Sequence, residues 1–241
     1  MYKDLAAIHA SYNIYPEDLL ASAHERNIVT DIKTIPDLKY LSDFYESYLK
    51  EYCSTVSNNN PNVLAGAARS IDLPFIGQNA LSHHKAKFGF YFEGSLQNAN
   101  YLSITVLSCL WIFQNISQYR HIIERYWKTH SYLRIYNALR ITTEIASNAY
   151  VADSFRIGKA NGKMDTKHNR ALMEREISLL NPELIILVGS TAKYIAGQEL
   201  LAKNQARVQC IPFPTVRKTK EDKQAAEAQY AELGKLMHSL L

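Results

Sequence analysis

Between residues 166 and 211 the chain changes period three times, and this alternation constrains its fold more than any other feature. "TKHNRALMEREISLLN" (166–181) carries a helical pattern and is closed by Pro182. "ELIILVG" then runs unbroken and apolar into Gly189, as a strand buried on both faces does. "STAKYIAGQELLA" restarts a helix with Ser190 as its expected cap, and "ARVQCIPF" reads as a further strand. Helices alternating with strands predict a parallel sheet covered on both faces. The expected fold class is α/β: three layers, α/β/α, around a central, mainly parallel sheet of four to five strands, with an N-terminal helical extension.

The remaining segments fit that frame. "SIDLPFIG" ends a first strand, and Pro74 marks an edge position or a strand start. "YVADSF" (150–155) is a short strand, and 114–128 and 131–147 read as helices. The tail from Lys220 is an amphipathic helix with Tyr230, Leu233, Met237 and Leu240 on one side. Residues 1–56 also read as helices. "PEDLLASAHER" opens on Pro16 and two acids, and the segment from Pro36 spaces Leu38, Leu41, Tyr45 and Leu49 by three and four residues. "SNNNPN" (57–62) is the clearest linker. The expected division is a helical extension over 1–60 and an α/β/α domain over 61–241.

Composition excludes several classes. Nine glycines and seven prolines in 241 residues are too few for a collagen-like or turn-dense chain. The longest apolar stretch, 101–113, is too short to span a bilayer and reads as buried core. Three scattered cysteines without a CxxC pair argue against zinc and iron–sulfur sites and fit a reducing cytoplasm. His83 and His84 have no companion at metal-ligand spacing, so no metal is expected. Asp165 and His168 read as a polar loop entering a helix, since no nucleophile elbow accompanies them. Residues 1–60 hold 5 Lys/Arg against 9 Asp/Glu, which leaves 22 against 14 for the rest of the chain. A basic body behind an acidic N-terminal segment suits a polyanionic partner, and it also suits ordinary solubility.

The helix–"NPELIILVGSTA"–helix unit, with the strand that runs into "PFPT", resembles the last third of the uracil-DNA glycosylase superfamily. "GQNALSHHKAKFGFYFE" (77–93) is similar to that family's "GQDPYHGPGQAHGLCFS", with Gly77, Gln78, Gly89 and Phe92 in register. Asn79 matches the Asn of "GINP" in mismatch-specific relatives. The resemblance covers roughly 65–220. It implies an enzyme that flips a base out of double-stranded DNA, breaks its N-glycosidic bond, uses no cofactor and acts as a monomer.

The resemblance also implies roles. Asn79 orients the attacking water, and the alternative for it is a turn-forming Asn. Gln78 and its neighbouring backbone contact the base. Phe92 stacks on the flipped base, or is a core aromatic beside Phe88 and Phe90. Asp153 stands at a motif Asn that bonds the base edge, or caps a turn. Pro214 and Thr215 match the end of the family's "HPS" loop, Val216 and Arg217 occupy the wedge position, and Arg217 and Lys218 meet phosphates; a basic solvated loop is the other reading. Two departures stand out: Phe213 replaces the His that stabilises the leaving base, and Ala80 replaces a motif proline. Asp153 accepts well from the exocyclic amine of cytosine. Leu81 stands where uracil-removing members exclude C5 substituents with a tyrosine. Together they point to a C5-modified cytosine, as in some viral DNAs, over uracil. The alternatives are a catalytically silent base- or DNA-binding module on the same fold, and an α/β protein whose N-terminal helices bind a partner protein.

Overall fold

The computed structural model describes residues 1–12, 33, 38–57, 74–93, 139–158, 163–204, 207–213 and 219–241. Their elements run α1 (Tyr2–Ala10), α2 (Lys39–Ser57), β1 (Phe75–Ile76), α3 (Gln78–His83), β2 (Phe88–Phe92) and α4 (Thr143–Ser147). They continue with β3 (Ala149–Asp153), α5 (Thr166–Leu180), β4 (Leu184–Val188), α6 (Ser190–Lys203), β5 (Val208–Ile211) and α7 (Lys220–Ser239). The five strands form one sheet in the order β1-β3-β2-β4-β5. β2, β3, β4 and β5 are parallel, and the two-residue β1 joins β3 antiparallel at the edge. This is the α/β/α architecture expected from the sequence.

The central strand is β2, which local reading passed over in favour of its His- and Lys-rich approach. All five residues of "FGFYF" are buried, as are all five of β4. Continuous apolar runs are what a parallel sheet covered on both faces requires. The carboxyl ends are level: Phe92 pairs with Asp153 on one side and Val188 on the other, and Val188 pairs with Ile211.

Right-handed crossovers put α5 and α6, which link β3 to β4 and β4 to β5, on one face. The two pack together there, and Arg170 Nε donates to the Ile195 carbonyl (2.7 Å). α7 returns over the other face, where Gly234 lies against the Leu139 carbonyl and Lys87 Nζ donates to the Leu240 carbonyl (2.8 Å). Tyr230, Leu233 and Met237 turn inward, as the amphipathic pattern predicts, and Leu240 packs against the same core.

The N-terminal helices belong to the same core. Leu38, Leu41, Tyr45 and Leu49 are all buried, in one cluster with the sheet residues. α1 packs on α2 and α5, and the Tyr45 hydroxyl donates to the Pro74 carbonyl (3.0 Å) at the start of β1. The boundary expected near residue 60, the helix expected at 16–26, the core segment 101–113 and most of 114–147 lie outside the described residues. No described helix is long and apolar enough to cross a membrane.

Candidate active site

The parallel strands decide where chemistry can sit. In open α/β sheets, ligands bind outside the carboxyl ends of the strands, where successive connections leave in opposite directions. Here β2 leads to β3 on one side and β4 leads to β5 on the other, so the crevice lies between the ends of β2 and β4. Glu93, directly after β2, stands in it half-buried.

Across the crevice is the start of α6. Gly189 is its N-cap, with φ 98°, where a side chain is strained. A Cβ on Gly189 would lie 2.3 Å from Glu93 Oε2, so the carboxylate fills the space that the glycine leaves. The Ser190 hydroxyl and the Thr191 backbone N–H each reach Glu93 Oε2 at 3.4 Å. Ser190, expected as the cap, is instead the first helical residue, and its hydroxyl turns to Glu93. A carboxylate at a helix N-terminus is electrostatically favoured, and at 3.4 Å both contacts lie at the long end of hydrogen-bond range.

Asp153 ends β3, one strand over, and is 1 % exposed. The loop after it is tied to the exit of β2: the Ser154 N–H and hydroxyl both donate to the Phe92 carbonyl at 2.7 Å. Glu93, Asp153 and the Gly189–Thr191 turn therefore share one edge of the sheet.

Two of the residues expected to complete this site lie at the other edge. β1 runs antiparallel to β3, so it carries Gln78 and Asn79 toward the amino ends of the parallel strands. The Gly77 N–H donates to the Ala149 carbonyl (2.8 Å), four residues before Asp153. At roughly 3.3 Å per residue, α3 begins about 13 Å from the Asp153 end. Gln78 and Asn79 are exposed in its first turn, where the Asn79 carbonyl accepts from His83 Nδ1 (2.9 Å). The structure does not bring them to Asp153.

Phe92 lies at the carboxyl edge but not in the crevice. It is 0 % exposed, and its ring stacks on that of Phe90, with centroids 6.5 Å apart and planes at 17°. Alternate residues of a strand share a face, so Phe88, Phe90 and Phe92 form one aromatic row of the core. Stacking on a flipped base requires a face that the Phe92 ring does not present. Thr215, Val216, Arg217 and Lys218 lie outside the described residues. Asp165 caps α5, accepting from the His168 N–H (3.1 Å) and pairing with its ring (2.8 Å), as a polar helix start should.

No family model matches this chain, and no curated protein matches it. Its site therefore rests on geometry. Among the described residues no group of His, Cys, Asp and Glu could hold a metal ion. A cavity of about 290 Å³ lies between α5 and α6 at the amino edge, lined by Glu174, Asn181, Glu199, Lys203 and Arg207 among others. The Arg207 guanidinium is already spent on Asn181 Oδ1, the Pro182 carbonyl and Asn204 Oδ1. That leaves Glu93 and Asp153, at the carboxyl edge of the sheet, as the better-placed chemistry.

Sequence reading missed Glu93 because its significance depends on strand order. The signal that could have found it is local: five residues rich in aromatics, then an acid and a glycine. Also missed was a buried polar group beneath Asp153. Glu176 accepts from the Arg156 guanidinium through both oxygens (2.7 and 2.6 Å), from the Tyr150 hydroxyl (2.9 Å) and from His9 Nε2 (2.5 Å). His9 Nδ1 in turn meets the Tyr48 hydroxyl (2.5 Å). All five side chains are fully or almost fully buried.

Proposed function

We propose that this chain is a DNA glycosylase whose base pocket lies at the carboxyl edge of the sheet, between β2, β3 and β4. The observation that carries the reading is that Glu93 and Asp153 stand at the carboxyl ends of the neighbouring strands β2 and β3, with Glu93 against the start of α6. The motif resemblance over 65–220 supports it, because the strand ending in Gly189 and the strand ending in Asp153 flank that edge.

The roles follow from the chemistry. Hydrolysis of an N-glycosidic bond needs a water aimed at C1′ and negative charge near the cationic sugar. Glu93 supplies both: its carboxylate accepts a proton from the water and faces the developing positive charge. In this arrangement it takes the part that the motif register gave to Asn79. Asp153 accepts from the exocyclic amine of a cytosine-type base. The base is a C5-modified cytosine sooner than uracil, and the partner is double-stranded DNA, with Arg217 and Lys218 on its phosphates.

A second reading, a silent base- or DNA-binding module, is favoured by Phe213 in place of the motif His, since losing one such donor costs about 10²–10³ in rate. Incubation with duplexes carrying uracil, cytosine, 5-hydroxymethylcytosine or its glucosylated form, followed by alkali, separates the two. Strand breaks at the modified cytosine support the glycosylase. Binding without breaks supports the silent module. No breaks and no binding would remove DNA as the partner.

A further inference from the structure

The buried group around Glu176 grips β3 on both sides of Asp153. Tyr150, three residues before it, donates to Glu176 Oε1 at 2.9 Å. Arg156, three residues after it, forks onto both Glu176 oxygens at 2.7 and 2.6 Å. The loop between is held again by Asn169 of α5. Its Oδ1 accepts from the Arg156 and Ile157 N–H groups (2.7 and 2.9 Å), and its Nδ2 donates to the Ile157 carbonyl (2.7 Å). The remaining donor to Glu176 is His9, from α1. α1, β3 and the loop after β3 thus converge on one carboxylate of α5 beneath one strand end.

Stability alone is a poor reason for such a group. A buried ion pair seldom exceeds the apolar packing that could replace it, whereas removing one partner is costly. What a fork and two further hydrogen bonds to one carboxylate supply is direction. They fix the strand end and the loop to a single geometry, as a pocket that discriminates between bases requires.

We propose that Arg156 and Glu176, braced by His9 of the N-terminal helix, are positioning residues that set Asp153 in the base pocket. The inference rests on the glycosylase reading for its consequence, base selection, but not for the loop geometry itself. The group touches no substrate and acts through β3. It makes the N-terminal helix part of the specificity of a site that it never reaches.

The test replaces the pair by apolar residues of similar volume, Arg156→Met with Glu176→Leu, and compares it with Arg156→Lys, which keeps the charge and loses the fork. Two readouts are taken. Hydrogen exchange across 153–158 should accelerate at least about tenfold in both variants while β2 and β4 stay protected. The preference for modified cytosine over uracil should fall toward unity, and the melting temperature should fall in the double variant, where the buried Tyr150 hydroxyl and His9 lose their acceptor. Exchange unchanged from wild type overturns the inference whether or not the protein releases bases. So does a wild-type base preference in a variant whose loop has loosened. If the double variant does not fold, Arg156→Lys decides by the same two readouts. A wild type that releases no base from any duplex removes the glycosylase reading, and the exchange result alone then decides the positioning claim.

Discussion

Gly77 opens the helix α3 at a position where no side chain fits: a Cβ would lie 2.2 Å from the Ala146 carbonyl and 2.3 Å from that of Ser147. Its φ of −65° suits any residue, so the requirement is close approach and not backbone conformation. Gly77→Ala should destabilise the protein by roughly 2–4 kcal/mol, as rigid overpacking against backbone does, read from urea unfolding. A wild-type midpoint would contradict that packing. Acid should find the buried polar group. Burial lowers the His9 pKa from 6.5, only partly opposed by its bond to Glu176. The unfolded chain therefore takes up a proton near pH 6.5 that the folded one refuses, and stability falls as pH drops below that value. At Glu176, burial works to raise the pKa, but Arg156 and His9 outweigh it and lower it from 4.5 to about 2. Its contribution is complete above pH 4.5 and lost as pH falls toward 2. Urea midpoints between pH 8 and 3 should decline below 6.5 and again below 4.5, and His9→Gln should flatten the upper decline. Equal slopes in wild type and variant between pH 7 and 5.5 would contradict a buried, neutral His9. Asp153 was legible in the sequence because a strand end is a local feature. The Glu176 group was not, since His9 and Glu176 lie 167 residues apart.

The helices α5, α6 and α7 and the strands β1, β3, β4 and β5 were readable, and β2 was not. α5, β4, α6 and α7 stand where their patterns place them: α5 and α7 carry their own capping residues, and β4 is an unbroken apolar run between a helix and Gly189. α7 has a full capping box, in which Asp222 N–H donates to the Thr219 hydroxyl (3.2 Å) and Thr219 N–H to Asp222 Oδ2 (3.3 Å). Thr219→Ala should cost about 1 kcal/mol in chemical unfolding, and no loss would mean that the helix start is held by something else. β1 shows the limit of local reading. Two residues can pair either way, and the choice depends on β3, more than seventy residues on. That one direction moved Asn79 to the far edge of the sheet. β2 was obscured by its basic approach, although an all-buried aromatic run is a legitimate signal of a central parallel strand.

At the scale of the molecule, the N-terminal helices are a structural layer. α1 brings buried His9 to Glu176, and Ser11, just beyond α1, accepts from Arg175 of α5 (2.7 Å). Removing residues 1–12 should abolish cooperative thermal unfolding and not merely trim an appendage. A truncated chain that melts like the full one would show the layer to be dispensable. The α/β/α class followed from alternating periods alone, but the location of the site needed the sheet order, which assigns the crevice to β2 and β4. The claim that this crevice is the active one is tested most directly by comparing Glu93→Gln with Asn79→Ala in base release from a duplex containing modified cytosine. Glu93→Gln should lower the rate by about 10²–10⁴ with DNA binding retained, and Asn79→Ala should leave it near wild type. Loss of activity in Asn79→Ala with full activity in Glu93→Gln would place the chemistry at the opposite edge and contradict the account.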